Sequence, residues 1–351
     1  MGLVYVFCPA RIISGGPEAL HQLVDGINHL GGKAFIVYVD NGEICDRKIN
    51  PPQRYQCYKT PVINKNTIVY SRENHFVVPE SMPELLQYVT TGMKYLWWLS
   101  VGFRQQDFDY STLRDTIHLY QSEHARAYVQ TMVNPTELLP LSDYVVAAPV
   151  APSEKKNKIA LVERKLDARY KDVVDALQKQ FDVQLVRGLS RYRLAQLLSS
   201  SKIFVDFGNH PGKDRLPREA ALFDNIIITS NLGACENEID VPIPEKYKLD
   251  NSVSFENLNA LVQSCLTNYT AVKKEFDDYR EEIGQEKHVF FSEINSAFGL
   301  NKTDDVVQSL TKRHNPVTST FHERLSESTV MLKFKKLIEY IRIVVIKRSS
   351  R

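Results

Sequence analysis

Residues 203–221 read IFVDFGNHPGKDRLPREAA, which combines an apolar run, a loop with two glycines and the start of a helical pattern. A second apolar run follows at 226–228, so the segment predicts a strand–helix–strand unit of a parallel sheet. Ligands of such sheets bind at the carboxyl ends of the strands, where this loop lies. Lys213, Arg215 and Arg218 lie within six residues, and guanidinium groups match phosphate oxygens. The segment therefore predicts a phosphate site, with a charged surface loop as the alternative.

The same alternation of strand and helix extends over most of the chain. Near the amino terminus, an apolar run at 4–7 precedes the loop 14–16, a helical pattern at 17–30 and a second apolar run at 34–39. The polar stretch 151–158 is a linker, after which the alternation restarts. The pattern predicts an α/β protein with two doubly wound, Rossmann-like domains at 1–150 and 151–310, which face a cleft. A helical, basic tail is predicted at 311–351.

Composition and charge restrict the classes of function. The 351 residues are 43% hydrophobic and 25% charged, which excludes a wholly disordered chain. Five scattered cysteines indicate no disulfide framework, and a reducing cytoplasm is expected. The net charge of +2 predicts no nucleic-acid partner. Between 331 and 351, however, seven basic residues accompany Glu339 in an amphipathic pattern. This segment predicts either a helix that contacts the anionic inner face of a membrane or a helix that packs across the two domains.

Three further stretches accompany the 203–221 segment: SGGPEAL at 14–20, QSEHA at 121–125 and LSDY at 141–144. With them, residues 1–250 resemble GT-B glycosyltransferases, most closely a bacterial group of surface-polysaccharide synthesis (capsule and lipopolysaccharide O-antigen). The resemblance implies transfer of a sugar from a nucleotide-sugar donor to a glycan or lipid-linked acceptor. It also implies that cations of the protein replace the metal ion of other glycosyltransferases, so neither a cofactor nor a metal ligand is expected.

The resemblance assigns roles to individual residues. Lys213, Arg215 and Arg218 would neutralise the diphosphate, and Glu219 would bind the ribose hydroxyls. The other expected donor-binding residues are Gly15, Gly16, Arg164, Lys165, His210 and Gly212. The candidates for a catalytic group are Glu18, Asp25 and His210, with Asp107 as a further conceivable base.

The chain also departs from the family pattern. Many retaining members carry two glutamates eight positions apart, whereas Pro211 lies eight residues before Glu219, so the stereochemical outcome stays open. A non-catalytic nucleotide- or glycan-binding protein and a sugar-nucleotide epimerase are the alternative functions. The Asp-x-Asp pattern at 107–109 lies in a loop-like stretch, so a solvated acidic loop is favoured over a metal site. The sequence has no dinucleotide-binding fingerprint, which disfavours a dehydrogenase.

Overall fold

The structure is a computed structural model, which describes residues 2–163 and 166–314. The larger of two sheets has eight strands: β1 (Val4–Pro9), β2 (Ala34–Asp40), β3 (Glu43–Ile44), β4 (Val62–Ile63), β5 (His75–Pro79), β6 (Met93–Trp98), β7 (Ile117–Tyr120) and β8 (Glu137–Pro140). Their order is β3-β2-β1-β5-β6-β7-β8, and β4 pairs with β2. Only the β2–β3 pair is antiparallel among the described strands of this sheet. The direction of winding reverses between β1 and β5, which is where such sheets bind ligands.

The second sheet has five parallel strands: β9 (Lys156–Val162), β10 (Asp182–Val186), β11 (Ser201–Asp206), β12 (Ile226–Ser230) and β13 (Lys248–Leu249). Their order is β10-β9-β11-β12-β13. The winding therefore reverses between β9 and β11, beside the loop that the sequence predicts to bind phosphate. Every residue of β12 is buried, as expected for a parallel strand covered on both faces.

Nine α-helices accompany the sheets in the described part of the chain: α1 (Gly15–His29), α2 (Glu123–Met132), α3 (Lys171–Gln180), α4 (Arg191–Ser200), α5 (Arg215–Ala221), α6 (Phe255–Thr267), α7 (Tyr269–Val272), α8 (Asp277–Ala297) and α9 (Asp304–Arg313). The sequence predicts a helix that begins near Ser122, whose hydroxyl can cap it, and in the structure Ser122 caps α2 by accepting a hydrogen bond from the Ala125 amide at 3.1 Å. The sequence pattern at 83–95 also predicts a helix, and this prediction is wrong: the chain forms only a 3₁₀ turn at Pro83–Tyr88 before Gly92 adopts a φ of 132° and β6 begins.

We call residues 2–150 the first lobe and residues 151–276 the second lobe. Helix α8 connects their cores: Tyr279 and Ile283 pack into the second lobe, whereas Phe290, Phe291 and Ile294 pack into the first. Helix α9 follows α8 onto the first lobe, where its Val307 belongs to the same apolar core. The predicted boundary at residue 310 thus falls inside a helix that packs on the first lobe.

The predicted membrane-binding segment, 331–351, lies outside the described residues. Within the described ranges, no helix has both the length and the apolar character needed to cross a membrane.

Candidate functional site

The loop 207–214 leaves the carboxyl end of β11 and enters α5, so it lies beside the reversal point of the second sheet. Two hydrogen bonds shape the beginning of this loop. The Gly208 amide donates to Asp206 Oδ1 at 3.1 Å, and the Ser230 hydroxyl donates to the Gly208 carbonyl at 2.5 Å. The end of β12 therefore holds the loop against the end of β11.

His210 is buried beneath this loop rather than exposed at its surface. Its Nδ1 lies 3.0 Å from Asp214 Oδ2, and its Nε2 lies 3.3 Å from the Asp206 carbonyl and 4.0 Å from the Asp206 carboxylate. Burial alone would lower the pKa of His210, but Asp206, Cys235 and Asp214 outweigh it and raise the pKa well above its usual value. These surroundings favour a protonated ring, which connects the two ends of the loop and suits a positioning role.

Asp206, His210 and Asp214 also form a group whose ligand atoms lie within 4.8 Å of one another, close enough to be tested as a metal site. The two ring nitrogens of His210, however, face different carboxylates. A metal ion would need a neutral ring with a free lone pair on one nitrogen, whereas this arrangement favours the doubly protonated ring. The donor set therefore fits an imidazolium better than a metal ion.

Arg218 points from α5 into the contact between the lobes and is fully buried. Its Nη2 lies 2.7 Å from Asp143 Oδ1, and its Nη1 lies 3.0 Å from Glu286 Oε2 on α8. Burial alone would raise the pKa of Asp143, but Arg218 and Arg215 outweigh it, and the pKa is held below its usual value. Asp143 is thus an ionised carboxylate of the first lobe that neutralises a cation of the second.

Arg215 makes a parallel set of contacts one turn earlier on α5. Its Nη1 lies 2.8 Å from Asp143 Oδ2, and its Nη2 lies 3.4 Å from Glu18 Oε1 on α1. Its Nε is 3.9 Å from Glu219, the residue predicted to bind ribose. Glu219 is 7% exposed. The predicted phosphate-binding arginines therefore do face the first lobe, where carboxylates contact them.

Glu18 is completely buried among three guanidinium groups. Besides Arg215, it contacts Arg54 at 3.0 Å and Arg191 at 3.3 Å, and it accepts a hydrogen bond from the Tyr58 hydroxyl at 2.9 Å. Burial alone would raise the pKa of Glu18, but the three arginines and Tyr58 outweigh it and hold the pKa far below its usual value. This carboxylate is therefore a permanent anion at the lobe contact and a weak proton acceptor.

The backbones of the two lobes touch at the loop 207–214. A Cβ atom placed on Gly212 would lie 2.6 Å from the Leu99 carbonyl oxygen, and the Val101 amide donates to the Pro211 carbonyl at 2.9 Å. A Cβ atom on Gly15 would lie 2.9 Å from Arg215 Cδ, whereas one on Gly16 would have ordinary contact at 3.8 Å. Gly15 and Gly212 therefore lie where one lobe meets the other and leave no room for a side chain, whereas Gly16 faces Leu99 of its own lobe.

Lys213 is the most open of the three predicted cations, with its side chain 18% exposed. Its Nζ lies 3.3 Å from Glu286, and its carbonyl and amide both bond to the Gln121 side chain of the first lobe at 3.0 Å. A groove of about 480 Å³ reaches it; the other lining residues are Ser142, Asp278, Glu281, Glu282, Gln285, Glu286 and Val289. The two remaining predicted cations, Arg164 and Lys165, lie outside the described residues.

The remaining candidate bases have other surroundings. Asp25 is buried against His314 at 2.6 Å and accepts the Lys59 amide at 3.0 Å, so α9 covers it. Asp107 is exposed, and Asp109 accepts the Ser111 amide, which is consistent with the predicted solvated loop.

Sequence reasoning missed a buried carboxyl group, that of Glu80, at the carboxyl end of β5. Its Oε2 accepts the Leu99 amide at 3.0 Å, and burial raises its pKa to about 7. It also missed Arg54, Arg191 and Glu286 as partners of the predicted residues. Asp143 lay within a stretch that the resemblance used, but no role was predicted for it.

No protein-family model matches the chain, and no curated protein matches its sequence. Solved structures do match. Sucrose-phosphate synthase from Thermosynechococcus elongatus has a TM-score of 0.60 over 85% of this chain and 98% of that chain, at 12% identity. A glycosyltransferase from Rickettsia africae has a TM-score of 0.56 over 89% of this chain and 99% of that chain, at 10% identity.

A third similar structure is WaaG, a glycosyltransferase involved in lipopolysaccharide biosynthesis. Its TM-score is 0.52 over 85% of this chain and 99% of that chain, at 10% identity. Together with the two parallel sheets and the crossing helix α8, these similarities show that the chain has the GT-B fold. The fold expected from the sequence is confirmed.

Proposed function

We propose that the chain is a glycosyltransferase that moves a sugar from a nucleotide-sugar donor to a glycan or lipid-linked acceptor. One observation supports this most directly. Lys213, Arg215 and Arg218 follow the strand at the reversal point of the second sheet, and both arginines face the first lobe. In sheets of this class that position binds ligands.

The chemistry of glycosyl transfer needs such a group of cations. Breaking the bond between the sugar and the diphosphate develops negative charge on the leaving oxygen, and preorganised cations stabilise that charge at little reorganisation cost. Arg215 and Arg218 are held in place by carboxylates before any ligand arrives. In this proposal they bind the diphosphate without a metal ion, with Lys213 at the more open side.

The first lobe supplies the opposite wall of the proposed donor site. Helix α1 begins at Gly15, and its first turn has no side chain at Gly15 or Gly16 to block a ligand. The amide groups at the start of a helix attract anions. On the other wall, Glu219 is proposed to bind the ribose hydroxyls. Its contact with Arg215 is long, at 3.9 Å, and the ribose hydroxyls would replace it.

A second candidate function is nucleotide or glycan binding without catalysis. The observation that favours it is that Glu18 is buried among three arginines and that Asp25 is buried against His314 and the Lys59 amide, so neither is a ready general base. Glu80 is a carboxyl group with a pKa near neutrality, but the Leu99 segment covers it.

Surface-polysaccharide synthesis is the proposed pathway. The sequence stretches at 14–20 and 205–221 resemble that bacterial group, and the similarity to WaaG supports the same assignment. Under this proposal the acceptor is a glycan or a lipid-linked glycan.

The experiment uses the purified full chain. Thermal unfolding is measured with UDP-, GDP-, CMP- and dTDP-sugars, because a ligand that binds only the folded state raises the melting temperature. Donors that stabilise the chain are then incubated with and without glycan acceptors, in the presence of a chelator. Transfer that survives chelation supports the proposal. Stabilisation without turnover supports the binding protein, conversion of the donor without an acceptor supports an epimerase, and no response to any donor contradicts all three.

A further inference from the structure

Five cations meet three carboxylates where the lobes touch, and we call them the interlobe cluster: Arg54, Arg191, Lys213, Arg215, Arg218, Glu18, Asp143 and Glu286. Glu219 adds a fourth carboxylate at 3.9 Å from Arg215. The cluster is thus close to neutral without any ligand. Buried charges are tolerated only when they are paired, and here the first lobe provides two of the anions.

The cluster leaves no room for a ligand between the lobes. The Leu99 carbonyl lies against Gly212, and the Val101 amide is bonded to Pro211. Arg215 and Arg218 already direct their terminal nitrogens at Asp143, the same atoms with which an arginine binds a phosphate. An anionic ligand must therefore displace this carboxylate or share the cations with it.

The cluster is also incompletely bonded. Among the described residues, Arg191 Nε, Arg215 Nε and Arg215 Nη2 are buried without a hydrogen-bond acceptor, although the last lies 3.4 Å from Glu18. Unsatisfied buried donors are rare in native proteins, and a water molecule or an ion that binds beside them is one explanation for them. The side chain of Arg215 is 9% exposed, so these donors face the contact between the lobes and not the solvent.

We propose that Asp143 and Glu18 are built-in competitors of the anionic ligand: they occupy Arg215 and Arg218 while the lobes are closed and release them when the lobes separate. The inference rests on the proposed function for the identity of the ligand, a nucleoside diphosphate group. Because only the separated state offers free cations, the apparent affinity for an anion is reduced by the fraction of molecules in that state. Removing one competing charge therefore tightens anion binding, the opposite of what removing a ligand-binding residue does.

The test is the binding of inorganic pyrophosphate to the full chain, measured by calorimetry. Asp143→Asn keeps the shape and a hydrogen-bond acceptor but loses the charge. We expect its dissociation constant for pyrophosphate to fall about tenfold or more below that of the wild type. An unchanged or larger dissociation constant overturns the proposal, as does the absence of binding in both proteins.

Asp240→Asn is the matched control. Asp240 also joins the lobes, since its carboxylate accepts the Glu123 and His124 amides at 2.7 and 2.9 Å, but it contacts none of the cations of the cluster. It should let the lobes separate more often but leaves both competing carboxylates in place, so we expect a gain in pyrophosphate affinity of less than about threefold, smaller than that of Asp143→Asn. An equal gain in both variants overturns direct competition.

Small-angle scattering provides a second measurement. At an ionic strength of about 0.1 M, the radius of gyration of Asp143→Asn should exceed that of the wild type, because the variant has lost the anion of the first lobe that pairs with Arg215 and Arg218. An equal radius contradicts release of the cations by separation of the lobes. If Asp143→Asn does not fold, Glu18→Gln replaces it and should likewise tighten pyrophosphate binding. Tighter pyrophosphate binding without turnover of any nucleotide sugar would support this inference and reject the enzymatic function, whereas turnover with unchanged pyrophosphate binding would do the reverse.

Discussion

The Nη2 nitrogen of Arg218 lies 2.7 Å from Oδ1 of Asp143, although the two residues are 75 positions apart and belong to different lobes. The pair is inaccessible to solvent, and Glu286 from the crossing helix α8 completes it. A residue that the sequence predicts to bind a ligand is thus also part of the contact that holds the lobes together. Ligand binding by Arg218 is measured through donor turnover, whereas its contact with Asp143 is measured through the free energy of unfolding.

Lys213→Gln should reduce donor turnover at least about tenfold, the scale of one lost charge-assisted contact. The side chain is partly exposed beside the groove, so the change should cost little stability. The measurement is turnover of the donor identified by the thermal panel. Lys246→Gln is the control, since Lys246 is an ion-paired lysine of the second lobe, 2.7 Å from Glu275 and distant in sequence from the loop. Equal turnover in both variants would remove Lys213 from the site.

Arg218→Met should lower the free energy of unfolding by about 3–5 kcal/mol, because it leaves Asp143 and Glu286 buried without their shared cation. Urea unfolding followed by circular dichroism measures the change. Arg187→Met is the control: Arg187 is 75% exposed and pairs with Glu163 at 3.2 Å, so the loss should be below about 1 kcal/mol. A similar loss in the two variants would show that the buried pair contributes no more than a surface pair.

Glu80→Gln should change how stability depends on pH. Burial raises the pKa of Glu80 to about 7, so between about pH 4.5 and pH 7 the folded chain holds a proton that the unfolded chain has lost. Wild-type stability from this residue is therefore full at low pH and decreases as the pH rises through 7. Relative to the wild type, Glu80→Gln should gain on the order of 3 kcal/mol between about pH 5 and pH 8. If the difference in free energy of unfolding between Glu80→Gln and the wild type is the same at about pH 5 and pH 8, the raised pKa of Glu80 is contradicted.

His210→Gln should have its effect at higher pH. Because Asp206, Cys235 and Asp214 outweigh burial and raise the pKa of His210, the folded chain keeps its proton above about pH 6.5 while the unfolded chain loses it. This contribution is full below about pH 6.5 and decreases by up to about 1.4 kcal/mol per pH unit above it. Urea unfolding between about pH 7.5 and pH 9 should therefore show a steeper decline in the wild type than in the variant.

His118→Gln is the control for His210→Gln, because the pKa of His118 is shifted in the opposite direction. Burial lowers the pKa of His118, whose ring accepts the Trp98 indole N–H at 2.9 Å, so its contribution decreases as the pH falls below about 6.5. It should leave the slope between about pH 7.5 and pH 9 unchanged. A slope in His210→Gln equal to that of the wild type would show that the buried ring is neutral.

Gly212→Ala should separate the lobes locally, because the new Cβ would lie 2.6 Å from the Leu99 carbonyl oxygen. We expect a loss of about 1–3 kcal/mol, the range for overpacked contacts, and a larger radius of gyration by small-angle scattering. Gly284→Ala, on α8 where the added Cβ would meet no atom outside the neighbouring helix backbone within 4 Å, should instead stabilise the chain by about 0.5–1 kcal/mol. An unchanged radius and stability in Gly212→Ala would contradict the close contact.

Local sequence patterns were sufficient for most of the fold. The alternation of apolar runs with helical periodicity depends on neighbours a few residues apart, so β1, α1, β2 and the β11–α5–β12 unit were predicted near their observed positions. The helix expected at 83–95 failed because Gly92 and the pairing of β6 outweighed helical propensity.

For the site, the sequence alone determined which cations follow β11, because a loop after a buried parallel strand must emerge at the carboxyl edge of the sheet. Only the tertiary structure decided what those cations contact. Asp143, Glu18 and Glu286 come from a loop and two helices far away in the chain, and no periodic pattern relates them to Arg215 or Arg218. Tertiary structure also decided their acidity: Arg218 and Arg215 lower the pKa of Asp143, whereas burial raises the pKa of Glu80 to about 7.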